Sequence, residues 1–152
     1  MYVHYAVLQE TANTFFALKM TDGANYPGEG NKGNFRGPIH WNEETSLPDG
    51  AFELTSNGAA LKFKISGLYT LTFSGQSGIG RYEETWIQVK KNGGVIFYIR
   101  DYNNADKGDR NNIAYTWADN FQSGDTIKLE VTGGHLYAHS PLTFTGQLIK
   151  KQ

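Results

Sequence analysis

Apolar and polar residues alternate one for one along most of this chain. Ala60–Ile65 does so, and after a turn at Ser66-Gly67 the alternation resumes through Tyr69, Leu71 and Phe73. Glu84–Lys90 sets Ile87 and Val89 on one face and Trp86, Gln88 and Lys90 on the other. A period of two sends successive side chains to opposite faces, which predicts half-buried strands. No window sustains the three-and-four spacing of a helix. Further strands are predicted at Val3–Leu8, Thr14–Met20, Pro38–Trp41, Phe52–Leu54, Val95–Arg100, Ile113–Trp117, Thr126–Thr132, His135–His139 and Leu142–Ile149. Turn signals separate them roughly every ten residues, the rhythm of a sandwich or jelly roll. Leu47-Pro48-Asp49-Gly50, Asn57-Gly58 and Gly124-Asp125 are turns, and Asn92-Gly93 predicts a type I′ hairpin between two strands. Two long polar stretches, Thr21–Gly37 and Asp101–Asn112, read as loops, and long loops in compact domains are often functional.

The 152 residues suit one domain, 1–152, with no internal boundary or repeat. Eighteen glycines, nine Tyr, nine Phe and three Trp fit sheets joined by tight turns. The net charge is −1 and Lys and Arg are scattered, so there is no electrostatic footprint for nucleic acid. No apolar run approaches the ~20 residues of a membrane-spanning helix, and no membrane insertion is expected. The absence of cysteine removes disulfides, thiolate metal sites and cysteine nucleophiles together. Met1–Glu10 has no charged-then-apolar leader pattern and reads as an alternating strand.

Candidate chemistry is sparse. His135 and His139 would lie ~13 Å apart on a strand, too far to share one ion. Asp101, Asp106 and Asp109 share one loop with four asparagines, an oxygen-rich composition that suits calcium as well as a solvated turn. No other cofactor is implied. Glu43-Glu44 and Glu83-Glu84 are adjacent on strands and face opposite ways, so neither is an acid–base pair. Gly75-Gln76-Ser77-Gly78 is similar to a nucleophile elbow but continues with Ile79 where glycine is needed. No enzyme is expected. Trp86, Gln88, Tyr98, Tyr102 and Asn103 combine aromatic rings with amides, the pairing that stacks on sugar CH groups and binds hydroxyls. The competing reading packs Trp86 beneath a neighbouring loop.

The ordered set Trp41, Phe52, Gly67, Tyr69, Phe73, then Val89-Lys90-Lys91-Asn92-Gly93, Gly124–Leu129 and Phe144-x-Gly146-x-Leu148 resembles the globular head of complement C1q and the related tumour-necrosis-factor jelly rolls. That resemblance implies a ten-stranded jelly-roll sandwich that trimerises, with Phe15–Lys19, Leu68–Phe73, Ile113–Trp117 and Leu142–Ile149 in the sheet facing the three-fold axis. Phe15, Tyr69, Leu71, Phe73, Tyr115, Trp117, Phe144 and Gly146 are then candidates for the subunit contact, with ordinary interior packing as the alternative for each. There is no collagen-like stalk, and the Gly/Asn-rich Thr21–Gly37 is this chain's own feature. The expected function is a homotrimeric attachment head, extracellular or on a virion or cell surface, binding a cell-surface glycan or protein, as at the tip of a phage or bacterial fibre. A secreted complement-type recognition protein, a monomeric carbohydrate-binding or hydrolase jelly roll, and a structural cap of a trimeric fibre are the alternatives.

Overall fold

The structure, a computed structural model, describes residues 13–21, 34–78, 83–103 and 110–152. Eleven strands lie among them: β1 (Phe15–Met20), β2 (Asn34–Pro38), β3 (Glu43–Leu47), β4 (Phe52–Thr55), β5 (Ala60–Phe63), β6 (Gly67–Gln76), β7 (Glu84–Lys91), β8 (Gly94–Tyr102), β9 (Asn112–Phe121), β10 (Thr126–Tyr137) and β11 (Leu142–Lys151). They build two antiparallel sheets. One runs β3-β1-β11-β6-β9, and the other runs β4-β5-β10-β7-β8 with β2 also paired to β10. The four segments expected to share a sheet do so, as β1, β11, β6 and β9. The all-β jelly-roll expectation holds.

Three local readings change. Residues 34–37, expected within a loop, and Pro38, expected to open a strand over Pro38–Trp41, form β2, because Phe35 is fully buried and the strand pairs with β10 at Glu130↔Pro38 and Leu136↔Phe35, and residues 39–41 are not strand. A glycine-rich neighbourhood hides a strand that one aromatic side chain holds in place. β3 escaped the alternation test because it lies at a sheet edge with mostly exposed polar side chains. The segments Thr126–Thr132 and His135–His139 are one strand, β10, interrupted by a register shift between Val131 and Gly133, with Gly134 at φ +60°. β10 ends at Tyr137, so His139 sits in the following turn. The expected strand Val3–Leu8 lies outside the described residues.

The core follows from the alternation. Tyr69, Leu71 and Phe73 of β6 are fully buried, as are Ile87 and Val89 of β7 and Leu129 of β10. Aromatic rings lock the sheets together. Phe16 meets Phe52, Phe63 and Phe144 edge-on with centroids 5.1–5.7 Å apart. Phe63 stacks on Phe121 at 3.8 Å, and Tyr69 packs edge-on against both. Each such ring removes roughly 150–250 Å² from water, about 4–6 kcal/mol at 25 cal/mol per Å². The Tyr69 hydroxyl, carried into this interior, donates to the Ile65 carbonyl at 2.7 Å, and burial pushes its pKa up to about 12.

These facts correct most of the expected subunit contact. Tyr69, Leu71, Phe73 and Phe144 point between the sheets and are essentially inaccessible, so no neighbouring subunit reaches their side chains. Gly146 is required for an intrachain reason. The Phe16 ring lies directly over it, and a Cβ there would collide with the ring.

The Asn92-Gly93 turn has the expected geometry, with φ of 52° and 82°. Asn92 also fastens it to the next turn. Its Nδ2 donates to Asp125 Oδ1 at 2.9 Å and its Oδ1 accepts from the Thr126 amide at 2.9 Å. Asp125 Oδ2 accepts from the Gln122 amide at 2.8 Å. Burial pushes the Asp125 carboxyl up, but the Gln122 and Asn92 hydrogen bonds and nearby Lys91 together hold it below its usual 3.8.

Gly146→Ala is expected to destabilise the fold by about 2–4 kcal/mol in chemical denaturation, as overpacking and ring displacement demand. Adding Phe16→Leu, which withdraws the clashing ring, should recover part of that loss, whereas additive losses would reject the steric coupling. A depressed carboxyl contributes stability that is present above its unfolded pKa and lost as pH falls through the folded one. The stability gap between wild type and Asp125→Asn should therefore be full at neutral pH and shrink as pH falls below the usual 3.8 in pH-dependent thermal melts.

Candidate functional site

Three parts of the surface carry organised chemistry. The first is the outer face of the six-stranded sheet. Trp86 pairs with Arg100 across β7 and β8, Gln88 with Tyr98, and Glu84 with Tyr102. The alternation that buries Ile87, Val89 and Ile99 turns these six residues outward together. The Arg100 guanidinium lies 3.9 Å from the Trp86 ring centroid, and Tyr98 meets the same ring edge-on at 5.4 Å. Gly133 of β10, opposite Trp86, leaves the space into which the indole leans. Trp86 is thus held between a glycine and a cation, so its ring faces are not the open platform expected. Tyr98 and Tyr102, 38% and 53% exposed, are the accessible aromatics. Gln88 Nε2 donates to the Tyr98 oxygen at 3.0 Å. Trp86, Gln88, Tyr98 and Tyr102 are brought together as expected, and Arg100 joins them. Its signal in the sequence was its place two residues from each tyrosine on an alternating strand.

Asn103 does not belong to this group. It is 1% exposed and its amide donates to Ser77 Oγ at 3.3 Å and the Gly78 carbonyl at 3.5 Å. It is part of a second organised region, a buried polar post at one end of the sandwich. Ser77 Oγ also accepts from the Asn111 amide at 2.9 Å, and the Asn111 side chain donates to Asp101 Oδ2 at 3.3 Å. Arg110 donates to Asn34 Oδ1 at 3.0 Å and to the Ser77 carbonyl at 3.3 Å, with its guanidinium 3.5 Å from the Tyr137 ring centroid. Burial lowers the Arg110 pKa against the opposing pull of Tyr137. His135 Nδ1 and Glu83 Oε1 are 2.7 Å apart nearby. With Ser77 buried and its oxygen engaged, the elbow-like Gly75–Gly78 offers no nucleophile. Of the three calcium candidates, Asp106 and Asp109 lie outside the described residues, and Asp101 serves the post. Among the described residues no three His, Cys, Asp or Glu side chains are grouped to hold a metal.

The third region is the outer face of the five-stranded sheet, with the edge beside it. Phe15, Ala17, Thr70, Thr72, Ser74, Thr116, Thr145 and Gln147 form the uncharged middle of this face, while Lys19, its partner Glu43 and Lys150 place charge at its ends. Four of its hydroxyls are paired, Thr72 with Thr116 and Ser74 with Thr143, each at 2.9 Å. A shallow concavity of about 340 Å³ opens along Phe15, Ala17, Thr70, Thr72, Thr145 and the Gly146 backbone. β9 ends this sheet and β8 ends the other, so both strands are edges. Phe97, Tyr115 and Trp117 bridge that edge with ring centroids 5.0–5.8 Å apart. Tyr115 is 42% exposed, and Trp117 Nε1 is buried without a hydrogen-bond partner among the described residues. Phe15, Tyr115 and Trp117 are therefore the three expected contact residues whose side chains remain at or near the surface.

The globular domain of zebrafish complement 1qA matches this chain with a TM-score of 0.62 at 16% identity, over 91% of this chain and 99% of the other. The fold is the C1q/tumour-necrosis-factor jelly roll. Within this fold, pika GITRL matches with a TM-score of 0.53 at 18% identity over 90% and 99% of the two chains. Murine APRIL matches at 0.53 and 14% identity over 86% and 98%. No protein-family model and no curated protein matches the sequence. This chain thus has the fold of those structures with few identical residues.

Asn103→Ala should cost about 1–3 kcal/mol in denaturant unfolding, because it strips a donor from a buried polar knot. A variant as stable as wild type would show that the post is not structural.

Proposed function

We propose that this chain is a non-enzymatic recognition head that works as a homotrimer, in an extracellular or virion-surface setting, and engages a cell-surface receptor through its exposed six-stranded sheet. The observation that carries this reading is the uncharged middle of the outer face of the five-stranded sheet. Lys19, Glu43 and Lys150 stand at the ends of the face, and the stretch between them presents Phe15, Ala17 and threonines. Because Thr72 bonds to Thr116 and Ser74 to Thr143, covering that stretch leaves fewer polar groups unsatisfied. The open aromatic edge supplies what would lie on it. Phe97 and Trp117 pack against the core there and Tyr115 stands exposed beside them, while the concavity lies on the outer face of the adjoining sheet. Edge on face is a heterologous contact, which closes into a ring when the rotation is right. Three is the number favoured by the likeness to C1q and tumour-necrosis-factor heads. The interface then consists of Phe15, Tyr115 and Trp117 with the threonine face, not of the buried β6 aromatics.

With the five-stranded sheet covered, the outer face around Tyr98, Tyr102 and Gln88 remains accessible three times per particle. Weak sites repeated on a rigid body gain from avidity, which suits attachment to a crowded cell surface. The same arrangement serves the tip of a fibre.

Light scattering on a sizing column should give three times the 16.9 kDa chain mass, unchanged on dilution. Thr145→Lys, which places a charge on the covered face at an exposed position, should convert the trimer to a folded monomer with an unaltered far-ultraviolet spectrum. A wild-type monomer at all concentrations overturns the trimeric reading.

A further inference from the structure

We infer that Arg100 anchors a carboxylate, and that the ligand of the six-stranded sheet is a glycan bearing a carboxylated sugar. The inference rests on the recognition-head reading and names the ligand chemistry of that surface.

Arg100 is exposed, and among the described residues no carboxylate pairs with it. Three lysines by contrast are paired with carboxylates: Lys90 with Glu130 at 3.7 Å, Lys91 with Asp119 at 3.3 Å, and Lys64 with Glu53 at 3.1 Å. Arg100 instead places its guanidinium carbon 3.9 Å from the Trp86 ring centroid. A cation–π contact consumes no hydrogen-bond acceptor, so the guanidinium N–H groups stay available as the planar fork that binds a carboxylate with two parallel hydrogen bonds. The stack also fixes the side chain beforehand, so less freedom is lost on binding. Trp86 is therefore a positioning residue for Arg100 rather than the sugar platform.

The surroundings select a sugar over other anions. Tyr98 and Tyr102 flank Arg100 at two residues on either side, on the same face of β8. Gln88 occupies an acceptor position on the Tyr98 oxygen, which leaves the phenol proton to donate outward. Phenol rings accept sugar CH faces, and hydroxyl and amide groups match ring hydroxyls. A single free fork suits one carboxylate per binding unit, whereas a nucleic acid or polyanion requires a stripe of cations. An acidic peptide would borrow its backbone hydrogen bonds from the free edge of β8 rather than from this face, and the peptide probe below tests that alternative.

The test uses the full chain and multivalent biotinylated probes on a biosensor: sialyllactose and tri-galacturonate, with lactose and the galacturonate methyl ester as neutral counterparts and hexaglutamate as the peptide probe. Circular dichroism and light scattering accompany every variant. At least one carboxylated sugar should bind, and its neutral counterpart should bind about tenfold or more weakly. Arg100→Gln should lose a similar factor while keeping fold and mass. Arg100→Lys should recover little, since an ammonium cannot form the fork. Lys128→Gln, on the same sheet, should change binding less than about threefold. Trp86→Leu should weaken binding through faster dissociation with Arg100 intact. The inference is overturned if no carboxylated sugar binds, if Arg100→Gln binds as wild type does, or if hexaglutamate binds as tightly as the sugars. A stable trimer that attaches to cells yet ignores carboxylated sugars would remove this inference and leave the recognition head standing. A chain that is monomeric throughout would remove the head itself.

Discussion

A ring seated on a strand that has no side chain beneath it sets the spacing of this molecule. Phe16 of β1 lies over Gly146 of β11, and from that seat it reaches Phe52, Phe63 and Phe144. The contact joins neighbouring strands of one sheet to the first hairpin of the other. Everything downstream inherits the distance it imposes, including the stacking of Phe63 on Phe121 and the burial of the Tyr69 hydroxyl. Aromatic packing between sheets tolerates several arrangements, so a unique one needs a steric reference point. Here the reference point is the absent Cβ.

Once the interior is defined, the two outer faces are left with opposite characters. The five-stranded sheet turns out threonines that satisfy one another, and the six-stranded sheet turns out phenols, an amide and a stacked arginine. Neither face needs a pocket or a titratable dyad to act. One is suited to being covered and the other to being read. The open edge between β8 and β9 sits where the two meet, and the buried, unpartnered Trp117 nitrogen lies at that seam.

Much of this was visible in the bare chain, and the failures have physical causes. Alternation identified most of the strands and the face that carries Trp86 and Gln88, and the family resemblance supplied the sheet shared by β1, β6, β9 and β11. It could not say whether a run of apolar residues faces its own second sheet or another subunit, because both environments demand the same residue types. Tyr69, Leu71, Phe73 and Phe144 were ambiguous for that reason. Asn103 was misjudged because a buried asparagine and an exposed one look alike until their partners are known. Arg100 was overlooked because an arginine on an exposed strand is ordinary. Only the register that sets it opposite Trp86 gives it a role.

The polar post formed by Ser77, Asn103, Asn111, Arg110 and Asn34 has a further consequence. It fastens points of the chain that lie far apart in sequence, Asn103 to Gly78 and to Glu83, and Arg110 to Ser77. Polar bonds thus close this end of the sandwich, while aromatic rings fill its middle. The two depend on different physics, so a substitution that loosens one end need not disturb the rings.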